Sequence, residues 1–358
     1  MSATPEQRHA TLALWLLLDQ EGAPRAAMTV NWHLLLEIAR QNTVLVRLTE
    51  RLHRAGLEPP AFFAAAAERE RDRAGAVFAV MHRLGERCER AGIGYLFPTA
   101  WQHFPDVSGD LDLLVLSGDW HVDTVILGGT AASLRARDLR DRLARTAIYW
   151  LPEFELALDV HHGRLGLVGE HAAYPTELVR RRQRLVQGAE EFFAPAPEDR
   201  LILQGMSRVA VRRSFSIADV AATVGIVRNH QIDWGFVVRV ARHMGVLPGL
   251  CCYLSYVEQI YGELCQRRLL PLEARQAMTM HGWGSVAFRD GRYRFSTLRI
   301  RSRLYWRQLA AIAAAGEWRA AARACLMPAM VVACSLGLVG REPVEALESV
   351  VAATLGTP

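Results

Sequence analysis

The chain has 358 residues, of which 51% are hydrophobic and 22% charged, and its formal net charge is +5. This composition is typical of a globular protein with a sizeable core, and the length predicts two or three domains. All 42 basic residues are arginine. The sequence therefore excludes Walker A loops, Schiff-base enzymes and lysine-adenylate ligases, because each needs a lysine amine.

The cysteines and apolar segments predict the compartment. None of the six cysteines forms a CxxC pair, which favours buried thiols in a reducing compartment over a zinc site. No secretory signal is evident, and the apolar segment 324–340 is short for a membrane span and contains Pro328. We interpret this segment as a buried helix, with membrane contact as the alternative. We expect a cytoplasmic protein with no membrane and no nucleic acid among its partners.

Residues 1–90 show helical spacing of apolar residues, over Val30–Leu52 and again over Ala64–Arg90. Glycines then interrupt the helical pattern, and short apolar runs bounded by glycine or proline follow. These runs predict strands at Gly94–Phe97, Leu111–Leu116, Ala147–Leu151 and Phe154–His161, the last two joined as a hairpin at Pro152–Glu153. The segments between them predict helices at Asp119–Leu127 and Leu134–Arg145.

The chain becomes helical again after Tyr174, and a turn at Pro195–Asp199 begins a further helix. The segment Gly282–Tyr293 is interpreted as a loop. Additional helices are predicted at Ser216–Val227, Trp234–His243, Leu247–Gly262, Leu272–His281 and Ser302–Ala315. We therefore expect an α+β fold, with a small mixed-sheet core at 91–185 between an N-terminal helical region at 1–90 and a C-terminal helical domain at 186–358.

The two helical regions contain similar segments. Val30–Leu52 aligns without gaps to Ile232–Leu254, and seven of 23 positions are identical, including Trp32 with Trp234 and Leu48 with Leu250. This similarity predicts two helix-turn-helix units with similar packing on either side of the core. Shared helix composition is the alternative explanation.

The most distinctive motif is Asp110-Leu111-Asp112 at the start of a predicted strand. Residues two apart on a strand point to the same side, so both carboxylates project together while Leu111 enters the core. Two close carboxylates repel each other unless a cation lies between them, and Mg²⁺ prefers such oxygen ligands. A structural or turn role is the alternative for an isolated Asp-x-Asp.

A third carboxylate, Asp159, lies within a later apolar strand, where aspartate is disfavoured by propensity. It could complete a two-metal site or act as a general base, and His161 shares its face. Upstream, Thr99 follows a strand and precedes Asp110 by eleven residues. A hydroxyl at such a turn could bind phosphate, although a plain helix N-cap is equally consistent with it.

These features resemble the nucleotidyltransferase superfamily of antibiotic nucleotidyltransferases and polymerase-β-like enzymes. That superfamily has a small turn motif, about ten residues later an Asp-x-Asp, and a third aspartate on a later strand. Pro98-Thr99, Asp110-Leu111-Asp112 and Asp159 occupy those positions.

A closer resemblance is to a bacterial group described as nucleotidyltransferase family proteins, some of which are encoded in peptide natural-product clusters. The segment Ile232-Asp233-Trp234 and the helix around Asp219 look like the C-terminal region of that group. The likeness extends over most of the chain, and its specific motifs lie within 93–162. There are also departures: Phe97-Pro98 replaces a Lys-Gly turn, and an arginine expected before the Asp-x-Asp strand is replaced near Asp106.

The resemblance implies a nucleotidyltransferase core that transfers a nucleoside monophosphate from an NTP, with ATP as the expected donor, to a small-molecule or peptide acceptor with loss of pyrophosphate. It implies that Asp110, Asp112 and Asp159 are catalytic and hold Mg²⁺ or Mn²⁺. A second set of residues would contact the nucleotide: Thr99, Ser108, Gly109 and His161. The missing cations keep two alternatives open, a degenerate fold that recognises a peptide or protein, and a metal-dependent glycosyltransferase.

Two other motifs were considered. The run Arg180-Arg181-Arg182 could grip phosphate or form a solvated helix face. The pair His161-His162, with His103 or His121, could bind a transition metal, although the spacing gives this no support.

Overall fold

The computed structural model describes residues 3–18, 30–117, 122–135, 137, 139–166, 168–206, 214–295, 298–314, 316–326 and 328–329. The part of the apolar segment 324–340 that follows position 329 lies outside the described residues, as does position 327. The helices are α1 (Pro5–Leu17), α2 (Trp32–Gln41), α3 (Leu45–Arg54), α4 (Ala61–Arg90), α5 (Val122–Leu127), α6 (Leu139–Ala144), α7 (Tyr174–Arg181), α8 (Pro197–Gly205), α9 (Ile217–Asn229), α10 (Trp234–His243), α11 (Leu247–Cys265), α12 (Leu272–Ala277), α13 (Leu298–Ala314) and α14 (Trp318–Ala324). The strands are β1 (Tyr95–Leu96), β2 (Asp110–Val115), β3 (Ser133–Leu134), β4 (Thr146–Leu151), β5 (Leu156–His162), β6 (Gln183–Gln187), β7 (Glu190–Ala194), β8 (Ser214–Phe215), β9 (Val286–Arg289) and β10 (Arg292–Phe295).

The central sheet has five strands in the order β1-β2-β5-β4-β3. β2 and β5 run parallel, whereas β1–β2, β5–β4 and β4–β3 are antiparallel, so the sheet is mixed. The later half of α4 and helix α5 cover one face, and their apolar side chains form one core with those of the sheet. The α+β fold with a mixed sheet and helical flanks is thus confirmed.

The repeated segment forms two matching helix-turn-helix units, as predicted. α2 and α10 begin at the aligned Trp32 and Trp234, and side chains of the preceding Asn31 and Asp233 cap them. Both turns return the chain through a left-handed residue, Thr43 with φ 54° in the first unit and the aligned Gly245 with φ 72° in the second. In each unit the residue after the left-handed one donates its backbone N–H to the carbonyl oxygen five residues earlier, Val44 to Ala39 and Val246 to Ala241.

The helical regions at the two ends of the chain share one hydrophobic core. Its buried members come from α1–α3 and also from α8–α11, β8–β10 and α13. Asn42 links the two regions directly, since its side chain donates to the Gly291 carbonyl at 2.7 Å and accepts from the Ile217 N–H at 2.8 Å. Among the described helices, none is both long and apolar enough to cross a bilayer.

Two segments predicted as helix or loop are β-hairpins. β6 pairs with β7 directly after α7, where a helical continuation was expected. β9 pairs with β10 within the segment predicted as a loop. The turn of this second hairpin is Asp290-Gly291, with φ 48° and 75°. Two successive left-handed residues are the geometry of a type I′ hairpin turn, and an Asp-Gly pair is its usual sequence signal.

The central unit also departs from prediction in detail. The predicted helix Leu134–Arg145 begins only at Leu139, because Leu134 pairs with Tyr149 at the edge of the sheet. The predicted strand beginning at Leu111 starts one residue earlier, at Asp110. The hairpin between β4 and β5 is confirmed, with a 3₁₀ turn over Pro152–Phe154 as its connection.

Candidate active site

The three predicted carboxylates are brought together by the parallel pairing of β2 and β5. Asp112 lies directly opposite Asp159, and Asp110 is two residues earlier on the same strand. Neighbouring residues in register, and residues two apart, project from the same face of a sheet. Asp110, Asp112, Asp159 and His161 therefore share one face and are all half-buried, whereas the intervening Leu111 is fully buried.

The electrostatics of this face centre on Asp159. Burial, and then the negative charges of Asp112 and Asp110, raise the pKa of Asp159 to about 7, while His161 and Arg135 act in the opposite direction. A carboxyl group whose ionisation is opposed by burial and by like charges gains most from a bound cation. The site is therefore an anionic face of the sheet that a positive ligand would stabilise.

Asp112 is held in place by two side chains. Thr99 Oγ1 donates to Asp112 Oδ2 at 2.6 Å, and His161 Nε2 lies 3.2 Å from Asp112 Oδ1. His161 Nδ1 in turn lies 3.5 Å from Thr146 Oγ1. Thr99 stands before a 3₁₀ turn but makes no side-chain capping bond there. Its hydroxyl positions a carboxylate, which neither the phosphate nor the N-cap interpretation anticipated.

The turn that leads into β2 is fixed by its own hydrogen bonds. Ser108 Oγ donates to the Asp110 carbonyl at 2.8 Å, and Arg73 from α4 donates to the Val107 carbonyl at 2.7 Å. A side chain at Gly109 would meet no atom within 4 Å. Ser108 thus has a local structural partner, and the open space at Gly109 leaves room for a ligand beside Asp110.

The residue near the expected arginine has a structural role. Asp106 is fully buried and accepts hydrogen bonds from the Val46 N–H at 2.7 Å and the Arg47 N–H at 3.2 Å, in the first turn of α3. Arg47 Nε completes the contact at 3.0 Å. Asp106 therefore joins the loop before β2 to the N-terminal helices, and it caps a helix that has no capping side chain of its own.

Arg135 is a cation that the sequence interpretation missed. Its backbone N–H donates to the Ile148 carbonyl on β4, and its charge lowers the pKa of Asp159. The guanidinium is 40% exposed and forms an ion pair with Asp141 at 3.2 Å. The sequence predicted a helix from Leu134, whereas the pairing of β3 with β4 places Arg135 at the sheet edge, with β4 between it and the strand of Asp159.

The paired histidines separate onto opposite faces of β5. His161 faces Asp112, whereas His162 is buried on the other face, with Nε2 3.2 Å from Asp123 Oδ1. His103 lies beside Asp219, 3.9 Å from its carboxylate, and His121 lies outside the described residues. His161, His162 and His103 therefore do not form a transition-metal site within the described part of the chain.

The arginine run is paired with the protein itself. Arg180 bonds Glu177, and Arg182 stacks on the Phe193 ring at 4.1 Å. Arg181 contacts Glu198 at 2.9 Å and Asp199 at 3.0 Å. Arg180 and Arg181 would therefore have to break these contacts before they could bind a phosphate. The aspartates of the C-terminal region are helix caps, Asp219 in a capping box with Ser216 and Asp233 at the start of α10.

The donor chemistry of Asp110, Asp112 and Asp159 fits a hard cation, because carboxylate oxygens are the ligands that Mg²⁺ prefers. Within the described residues, no three His, Cys, Asp or Glu side chains converge as a formed metal site. The two oxygens of Asp112 contact Thr99 and His161 instead. No family model, curated protein or solved structure matches the chain.

Proposed function

We propose that the protein is a metal-dependent nucleotidyltransferase whose active site is the carboxylate face of β2 and β5. The observation that carries this proposal is the register of Asp112 opposite Asp159, with Asp110 on the same face. Three carboxylates on adjacent strands are unfavourable without a counter-ion. Aspartate is also a poor strand residue, so three of them on one half-buried face point to a functional need.

The residues of the site divide into ligands and positioning groups. Asp110, Asp112 and Asp159 would hold Mg²⁺ or Mn²⁺, which when bound supplies charge neutralisation for a triphosphate and its leaving group. Thr99 orients Asp112 through its 2.6 Å hydrogen bond, and His161 contacts the other oxygen of the same carboxylate.

In the proposed reaction, an oxygen of a small-molecule or peptide acceptor attacks the α-phosphate of an NTP, with ATP as the expected donor, and pyrophosphate leaves. The acceptor loses a proton, and Asp159 acts either as a metal ligand or as the base that accepts this proton. Arg135, at the edge of the same sheet, supplies a positive charge that lowers the pKa of Asp159 in a chain that has no lysine. Positioning and electrostatic stabilisation supply most of the rate in such transfers.

The direct test is the release of pyrophosphate from each NTP with Mg²⁺ or Mn²⁺, in the presence of a panel of hydroxyl-bearing acceptors. We expect Asp110→Ala and Asp112→Ala to abolish release. The matched control is Asp72→Ala, which removes an exposed carboxylate on α4 and is expected to retain activity. Full activity in either site variant would refute the assignment.

A non-catalytic binding module is the second candidate, and the contacts of Asp112 favour it. Thr99 and His161 already engage both carboxylate oxygens, so this residue is stabilised without a metal. Such a module would recognise a peptide or protein through its helical regions. Calorimetry with each NTP and Mg²⁺ separates the two candidates: no heat of binding with any nucleotide would favour the binding module.

A further inference from the structure

A pocket of about 200 Å³ lies outside the carboxylate face, between the 3₁₀ turn at Ala100–His103, α8 and α9. Four of its seven lining residues are polar or charged, and the full set is Gln102, Arg200, Ala222, Gly225, Ile226, Asn229 and His230. Two amides, one imidazole and one guanidinium therefore surround it, and no carboxylate is among the lining residues. The Gln102 amide is bonded to the Pro98 carbonyl and to Gln204. Hydrogen-bond donors and positive charge for an occupant therefore come from Arg200, Asn229 and His230.

Arg200 is the only charged side chain in that lining apart from the titratable His230, and it has no acidic partner within the described part of the chain. The two carboxylates that precede it in sequence are both taken by Arg181, with Glu198 at 2.9 Å and Asp199 at 3.0 Å. Arg200 Nε is buried and makes no hydrogen bond to the described residues. Burial lowers the pKa of Arg200 to about 10, which leaves it charged at neutral pH.

The orientation of this guanidinium is fixed by an aromatic ring. The central carbon of the Arg200 guanidinium stands 3.8 Å from the centroid of the Trp101 ring. Trp101 is itself buried and anchored, since its indole N–H donates to the Phe97 carbonyl at 2.8 Å. A ring against one face of a guanidinium leaves the N–H groups at its edge available, and that edge matches the two oxygens of a carboxylate or phosphate.

The helix opposite Arg200 leaves space for such a ligand. Gly225 lies in the middle of α9, where glycine costs about 1 kcal/mol relative to alanine. A Cβ built at Gly225 would meet no atom within 4 Å, so close packing of the protein does not require glycine there. A larger side chain would instead extend into the pocket that Gly225 lines.

We propose that this pocket binds an oxyanion, the carboxylate or phosphate group of a small ligand, with Arg200 as the principal charged contact and Asn229 and His230 beside it. The proposal does not depend on the proposed nucleotidyltransferase activity, because none of these residues belongs to the carboxylate face. The pocket does lie close to that face along the chain, since Gln102 follows Thr99 by three residues.

The test is thermal unfolding of the full chain in sodium phosphate, sodium acetate and, as the uncharged comparison, acetamide, at constant ionic strength. At about ten times its Kd, a bound anion raises the melting temperature by about 2 °C. Phosphate also stabilises proteins non-specifically, so the evidence is the part of the rise that Arg200→Met abolishes. Arg40→Met, at an exposed arginine on α2, is the matched control and should keep the full rise.

A second variant tests the pocket without removing Arg200. Gly225→Glu places a carboxylate in the pocket, where it would pair with Arg200, so we expect a higher basal melting temperature and no response to anions. Gly75→Glu makes the same change at an open helical glycine of α4 and should keep the response. A response to phosphate only or to acetate only identifies the ligand group, and a response to both supports a general oxyanion site. An equal response in wild type, Arg200→Met and Gly225→Glu would overturn the proposal, as would no response in wild type.

Discussion

The charge of Asp159 provides the sharpest test of the site, because its consequences appear in stability as well as in activity. Replacement by asparagine keeps the shape of the side chain and removes its ionisation. The folded pKa of Asp159 is about 7, against about 3.9 in an unfolded chain. The folded state therefore holds the proton more tightly. The stability that this provides is complete below pH about 4 and is lost as the pH rises through about 7.

The size of the effect follows from the difference in pKa. About three units correspond to an upper limit of about 4 kcal/mol at pH 8, at about 1.4 kcal/mol per unit. Part of this shift comes from the charges of Asp112 and Asp110, and an energy that arises between interacting groups does not belong to one residue alone. We therefore expect metal-free Asp159→Asn to be about 1–3 kcal/mol more stable than wild type at pH 8, with a smaller difference at pH 5.

The assay is urea unfolding in EDTA at pH 5 and pH 8, followed by circular dichroism. Asp72→Asn, which neutralises an exposed carboxylate on α4, should show no pH-dependent difference from wild type. Adding Mg²⁺ at pH 8 should then stabilise wild type more than Asp159→Asn. If the asparagine variant were no more stable than wild type at pH 8, the description of this face as an anionic cluster that opposes the ionisation of Asp159 would be wrong.

Three further predictions follow from individual contacts. Thr99→Val removes the 2.6 Å hydrogen bond to Asp112, and we expect pyrophosphate release to fall about tenfold with little change in melting temperature; unchanged release would show that the hydroxyl does not position the carboxylate. Asp106→Ala leaves Arg47 and two N–H groups of α3 without their acceptor. We expect the free energy of unfolding, measured in urea, to fall by about 3–5 kcal/mol. A fall below about 1 kcal/mol would contradict the role of Asp106 as an anchor between β2 and α3. Thr43→Gly removes the strain of a left-handed threonine and should be neutral or stabilising by up to about 1 kcal/mol. Gly245→Ala should be destabilising, because its Cβ would come within 2.7 Å of the Gln308 carbonyl. If Gly245→Ala had the higher melting temperature of the two variants, this comparison of the two turns would be refuted.

The helices and the internal repeat could be predicted because their signals are local. Apolar spacing, the capping side chains of Asn31 and Asp233 and the aligned Trp32 and Trp234 all lie within a few residues of the structure they specify. The strand that carries Asp110 and Asp112 was also predictable, since alternation of polar and apolar residues directly indicates which side chains share a face.

The hairpins were harder because strands depend on partners. β6–β7 follows a helix whose pattern gave no sign of stopping, and β9–β10 was interpreted as a loop although Asp290-Gly291 is a strong hairpin turn. Leu134 likewise belongs to a strand only because Tyr149 is available to pair with it. Pairing energy comes from cross-strand neighbours that a single segment does not contain.

The sequence by itself determined the α+β class, the three candidate carboxylates and the absence of lysine from any site. Only the tertiary structure decided that Asp112 lies in register with Asp159, that Thr99 holds Asp112, and that Arg135 stands nearby. It also left Arg200 facing a pocket without a carboxylate, because Arg181 takes both acidic neighbours. Residue type and strand alternation are properties of the chain, whereas register, burial and choice of ion-pair partner arise from contacts between segments distant in sequence.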